Sequence, residues 1–166
     1  MLFEIALHTI MVKTKVKQPY PFERFASIRR YVHFEFFKQD PSQIIYVADT
    51  NGQFNLWRQR YTLSPEYSGE PYGSYQLTNF IDSSVRHAFS SPIDSRIVFF
   101  ADYEGTENFQ IYKIDDAFHS WPEPITQNPK ARYEWGQECF SRDGKYITYS
   151  SNEDNSSDMH VYIYNI

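Results

Sequence analysis

Three features of the 166-residue sequence predict an all-β chain built of β-propeller blades: 19% aromatic residues, apolar runs alternating with a period of two, and a segment that occurs three times. The 14 Tyr, 14 Phe and 3 Trp suit pleated, half-buried strands better than helices. The repeated segment reads FKQDPSQIIYVAD at 37–49, FSSPIDSRIVFFAD at 89–102 and FSRDGKYITYSSN at 140–152. Each copy sets a Phe before a polar turn and then an alternating apolar run. These runs start at Ile44, Ile97 and Ile147, intervals of 53 and 50 residues. A sandwich of unrelated strands has no reason to keep such a register, whereas radial repetition does.

Along the chain, residues 1–19 read as an N-terminal extension. MLFEIALHTIMV is interrupted by Glu4 and His8, has no basic run before it and no small-residue cleavage pattern after it, so it predicts no signal peptide. It also falls short of the roughly 20 apolar residues that span a bilayer. Met11 is an alternative start. Residues 20–166 read as a partial propeller, with ERFASIRR as a short helical lead-in and blades at about 30–80, 84–127 and 133–166. The middle blade supplies the pattern: VRHAFSS, RIVFFAD, NFQIYKI and EPITQ as four antiparallel strands. FNLW and YQLTNF repeat its third and fourth strands in the first blade, and MHVY repeats its third in the last. Two full blades and most of a third make an incomplete ring, since closure takes about four blades or more. The last strand, MHVYIYNI, is expected to expose Met159, Val161, Tyr162, Ile163 and Tyr164 at an open edge. The expected neighbours at such edges are further blades or a second copy of the chain.

Composition removes several function classes. A net charge of -5 disfavours a nucleic-acid surface, which rests on clustered Lys and Arg, and KTKVK at 13–17 is too short to reverse that. The lone Cys139 forms no internal disulfide and reads as a small buried hydrophobe. His8, His33, His87, His119 and His160 have no paired spacing, so no metal and no cofactor are expected. NEDNSSD alternates acids and amides like half of a calcium loop. It lacks the central glycine, and Ile163 stands where the terminal Glu belongs, so it reads as a hairpin turn. NSS at Asn155 fits a glycosylation pattern that matters only in a secreted protein, and nothing indicates secretion; a cytoplasmic location is expected.

One geometric step places a candidate site. In an antiparallel meander the turns joining strands two and three lie at the same end as the connections between blades. That end collects Asp49, Asp102, Glu104, Glu107, Asp154 and Asp158 around the channel mouth. Such a rim either keeps the protein solvated or attracts a cationic group such as a peptide α-amine. Glu107 leads the set because the tight GTEN turn projects it.

The recurrent Phe, the DGK turn and the LT before a new copy resemble the WD-like propeller repeats of the TolB type. PFERFASIRRYVHFEFF, followed by IIYVADTNGQFNLW, QLTNF and FFADYEGTENFQIYKI, is similar to the N-terminal propeller of the prolyl oligopeptidase family of serine peptidases, especially its acylaminoacyl-peptidase and dipeptidyl-peptidase-like branch. The resemblance covers about residues 20–166. It implies a lid over a separate α/β-hydrolase domain that restricts which peptides reach the catalytic serine. This chain has no GxSxG nucleophile elbow, and YGSY at Tyr72–Tyr75 lacks the second glycine, so no catalytic residue is carried over. The expected role is gating and substrate filtering, with a peptide substrate and a hydrolase domain as partners. The alternative is a free-standing TolB-like module that binds a protein partner.

Overall fold

A computed structural model describes residues 30–49, 52–60 and 74–166. The extension at 1–19 and all but the last residue of the ERFASIRR lead-in lie outside them. Among the described residues there is no helix. Eleven strands run in chain order: β1 (Tyr31–Phe36), β2 (Gln43–Asp49), β3 (Phe54–Arg60), β4 (Ser74–Gln76), β5 (Val85–Ser90), β6 (Ile97–Asp102), β7 (Phe109–Ile114), β8 (Glu123–Pro124), β9 (Tyr133–Glu134), β10 (Tyr146–Ser151) and β11 (His160–Asn165). They form three antiparallel sheets, β1-β2-β3-β4, β5-β6-β7-β8 and β9-β10-β11. The fold is all-β and blade-like, and the ring is not closed.

Register makes the repeat physical. Asp49 faces Phe54 across β2 and β3, and Asp102 faces Phe109 across β6 and β7. Three residues back along the middle strand, Tyr46 faces Trp57, Phe99 faces Tyr112, and in the third sheet Tyr149 faces Tyr162. These three cross-strand pairs stack nearly parallel, with interplanar angles of 12°, 10° and 13°. Such pairs add about 0.5 to 1.5 kcal/mol each beyond the area they bury. The innermost strands also share an irregularity: register shifts between Tyr31 and His33 and again between Val85 and His87. In the last blade Gly144 closes the DGK turn at a φ of +66°. A side chain there would meet Ile93 at 2.5 Å, so the turn and its seat on the neighbouring blade both need glycine.

The apolar faces meet between blades. Ile45, Val47, Phe54 and Leu56 of the first pack on Val85, Ala88, Ile97, Phe99 and Ala101 of the second. The other face of the second blade, Phe89, Val98, Phe100 and Ile111, packs on Tyr133, Ile147 and Tyr149 of the third. Cys139 lies in this second core, and burial pushes its thiol up to about 12. The far face of the third blade differs, because Thr148 and Ser150 stand where β6 places Val98 and Phe100.

Both outer strands stop earlier than alternation predicts. YQLTNF and EPITQ read as continuous strands, yet β4 ends at Gln76 and β8 at Pro124. The cause is a threonine that takes over the ladder. The Leu56 N–H donates to Thr78 Oγ1 and the Ile111 N–H to Thr126 Oγ1, both at 2.9 Å. Each hydroxyl donates in turn to a buried side-chain amide oxygen, Asn55 Oδ1 at 2.8 Å and Gln110 Oε1 at 3.3 Å. The same oxygens accept the Phe80 N–H at 2.8 Å and the Asn128 N–H at 3.1 Å. A side-chain oxygen has replaced a backbone carbonyl, so the chain leaves the sheet without orphaning a buried donor.

Thr78→Val or Thr126→Val keeps the volume but leaves a buried N–H unmatched and removes one of the two donors to the amide oxygen. Each is expected to cost about 1 to 3 kcal/mol in urea unfolding, with Thr→Ser recovering most of it. A Val variant as stable as the parent would show that the hydroxyl carries no part of the lock.

Candidate functional site

The turn-bearing end is assembled by side chains that tie each strand-two end to the start of a blade. Arg30 Nη2 donates to Asp49 Oδ2 at 2.6 Å, the Ser84 N–H donates to Asp102 Oδ1, and the Arg132 N–H donates to Asn152 Oδ1 at 2.8 Å. Ser84 Oγ also donates to Gln53 Oε1 at 2.7 Å, and Asn108 Nδ2 to the Pro129 carbonyl at 3.1 Å. The strand-two turns and the inter-blade connections therefore share one end.

The six acids drawn to this end take different roles. Asp49 pairs with Arg30 and accepts the Gly52 N–H at 2.8 Å, and the guanidinium beside it holds its carboxyl below the usual range. Asp102 is 5% exposed and shapes the start of the second blade. Glu104 and Glu107 are exposed and sit at φ of 49° and 60° in the 103–108 turn. That turn is braced by Thr106, whose N–H and hydroxyl both donate to the Tyr103 carbonyl, at 3.0 and 2.6 Å. Asp154 accepts the Tyr162 hydroxyl at 2.7 Å and Asp158 accepts from Asn155 Nδ2 at 2.7 Å. Glu104 and Glu107 are thus the exposed acids of the six near the second blade, with Glu104 hydrogen-bonded to the Tyr103 side chain. NEDNSSD forms the turn between β10 and β11, and among the described residues no three His, Cys, Asp or Glu gather as a metal site.

Sequence reading missed what lies inward of this rim. His33 on β1 and His87 on β5 hold equivalent positions, and Trp135 holds the next one just beyond β9. Their rings form a row across the blades: His33 to His87 at 4.0 Å between centroids, and His87 to Trp135 at 5.2 Å with the planes 21° apart. Phe100 and Phe109 close on the indole at 5.1 and 5.4 Å. Burial pushes His87 down to about 4, aided by His33 beside it. Burial also lowers His33, partly opposed by the Glu35 carboxylate.

At the rim end of this row is a cavity of about 280 Å³ lined by Phe109, Arg132, Glu134 and Trp135. Arg132 Nε donates to Glu134 Oε1 at 2.8 Å, with both side chains partly exposed. The equivalent place between the first two blades is occupied differently. There the Phe54 ring carries two guanidinium groups, Arg30 at 5.1 Å and Arg86 at 5.5 Å. By chain position Glu134 stands where Arg86 stands, so a carboxylate replaces the cation beside the Phe109 ring. The cavity therefore offers an aromatic wall and an Arg132–Glu134 ion pair where the neighbouring blade holds two guanidinium groups on its ring.

A folded-state histidine held neutral supplies stability that is fully present above its unfolded value of 6.5 and is lost as pH falls toward about 4. The chain is therefore expected to lose stability between about pH 6.5 and 4, before Asp49 and its like protonate below 3.8. His87→Phe keeps a ring in the row and should flatten that limb in pH-dependent urea unfolding. An unchanged slope would place the titration elsewhere. No family model matches the chain, and no curated protein matches it significantly.

Proposed function

We propose that these blades recognise the cationic end of a peptide and act as the gating and filtering part of a serine peptidase of the prolyl oligopeptidase type. The observation that carries the recognition step is the cavity of Phe109, Arg132, Glu134 and Trp135 at the acidic end. A cation within about 6 Å of an aromatic face gains about 0.5 to 2 kcal/mol, more when desolvated. Phe54 realises that arrangement internally with Arg30 and Arg86. At Phe109 the place beside the ring is open to a group from outside, which would share Glu134 with the Arg132 guanidinium already paired to it. Glu104 and Glu107 on the adjacent turn raise the local concentration of cations before contact. Filtering follows from geometry: a peptide bound by its amine at the rim presents a fixed length of chain inward. The hydrolytic step belongs to a domain other than these residues, which hold no nucleophile elbow.

A second reading, a TolB-like module that holds a protein partner, draws support from the exposed Val161 and Ile163 on the last strand. Under that reading the rim acids serve solubility and the partner lies along the blade edge.

Short peptides differing only in N-terminal acetylation separate the two. A free-amine peptide should perturb the Trp135 indole resonance and bind about tenfold more tightly than its acetylated twin, with Glu134→Gln removing most of the difference. Equal binding of both peptides would sink the reading. The chain alone should leave aminoacyl and acylaminoacyl chromogenic substrates intact and take up no fluorophosphonate, and stoichiometric labelling of a serine would overturn that assignment.

A further inference from the structure

The third blade repeats the third strand of the other two, and among the described residues nothing pairs with its outer edge. Met159, His160, Val161 and Tyr162 occupy the places of Phe54, Asn55, Leu56 and Trp57, and of Phe109, Gln110, Ile111 and Tyr112. Ser150 faces Val161 just as Phe100 faces Ile111 and Val47 faces Leu56. The backbone N–H and C=O of Val161 therefore point away from β10, toward the side where Leu56 and Ile111 receive their threonine segments. In those blades the C=O of Leu56 accepts the Leu77 N–H and that of Ile111 accepts the Ile125 N–H, each at 2.8 Å. Leu77 and Ile125 then pack on the apolar cores that Leu56 and Ile111 help to form. Leu56 and Ile111 are 0% exposed between those segments and the face of the next blade, whereas Val161 and Ile163, on the far face of the third blade, are 79% and 72% exposed.

We infer that the free edge of β11 is a docking site for an extended segment in which Leu or Ile is followed by Thr, supplied from outside residues 1–166. The pattern comes from the two occupants visible in this chain. The hydroxyl is the discriminating group, because it accepts the N–H that the sheet leaves unmatched, while the preceding apolar side chain covers Met159 and Val161. Among the described residues no Leu-Thr or Ile-Thr pair is free to serve. Leu77-Thr78, Ile125-Thr126 and Ile147-Thr148 are engaged in their own sheets, and residues 1–29 and 61–73 contain no such pair. A second copy fits poorly, since MHVYIYNI offers no Thr or Ser to its twin. The site also differs from its templates: Met159 stands where both have Phe, and His160 stands where Asn55 and Gln110 supply the oxygen that takes both the Thr hydroxyl and the N–H two residues on. Main-chain pairing at an edge gives such a site its affinity, and the side-chain pattern its selectivity.

The test uses the 166-residue chain and an end-blocked peptide of the sequence Ser-Tyr-Gln-Leu-Thr-Asn-Phe, which copies residues 74–80. Hydrogen exchange should slow at 159–164 on adding the peptide, and the same peptide with Val in place of Thr should bind about tenfold more weakly, the worth of one hydrogen bond. His160→Gln, which restores the amide, should tighten binding several-fold for the Thr peptide and not for the Val peptide. Equal binding of the two peptides would overturn the inference, as would protection that appears at β3 or β7 instead of 159–164. So would sedimentation showing a dimer whose 159–164 amides are already protected without peptide, which would make the second copy the occupant.

Discussion

Each blade depends on having its apolar face buried by the next, and that constraint organises the rest of the molecule. A four-stranded sheet with large side chains on both faces is not stable in water alone. Stacking lets one set of residues serve twice: the second blade gives Ile97 and Phe99 to one core and Val98 and Phe100 to the other. The period-two alternation of the sequence is thus not an inside–outside code, as in a sandwich with one solvated face. Both registers are inside, and the buried polar side chains among them, such as Asn55 and Gln110, are hydrogen-bonded. Thr148 and Ser150 make the far face of the third blade more polar, though it also bears the exposed Val161 and Ile163.

Stacking alone would let sheets slide, and the threonine lock is what fixes each outer edge. Asn55 and Gln110 are polar groups within apolar surroundings, so they tolerate only arrangements that satisfy them. Their oxygens take two donors each, one from a hydroxyl and one from backbone. Any slip of the outer segment by a residue would strand those donors. The connection to the next blade therefore leaves at a defined height and brings residues 79–84 and 127–132 to the turn-bearing end, where Ser84 and Arg132 meet Asp102 and Asn152.

Much of this was legible in the sequence, and the illegible parts share a cause. The intervals of 53 and 50 residues between copies are the spacings at which Asp49, Asp102 and Asn152 recur at the ends of β2, β6 and β10. The stacked pairs Tyr46–Trp57, Phe99–Tyr112 and Tyr149–Tyr162 lie within the quoted repeats, so aromatic spacing announced them. The lock was hidden because Leu-Thr and Ile-Thr score as good strand sequence; alternation registers a β-branched side chain and says nothing of where its hydroxyl points. The cavity was hidden for another reason. Phe109 and Trp135 are 26 residues apart in different sheets, and Glu134 is notable only once it is seen to stand in the place of Arg86.

Within a repeated fold, the positions that stay alike from blade to blade are those the architecture needs, and the positions that differ are free for other work. The Asp or Asn at the end of each second strand, the stacked rings and the buried Phe37, Phe89 and Phe140 stay alike. Arg86 against Glu134, His87 against Trp135, and Gln110 against His160 do not. The first two differences fall together on one cavity, and the third falls on β11, which among the described residues has no fourth strand beside it. If the chain were only scaffold, differences would scatter over exposed positions with no spatial preference. Their collection at a cavity and at an edge, both places where backbone or aromatic surface is presented to solvent, is the pattern on which the proposed recognition role rests.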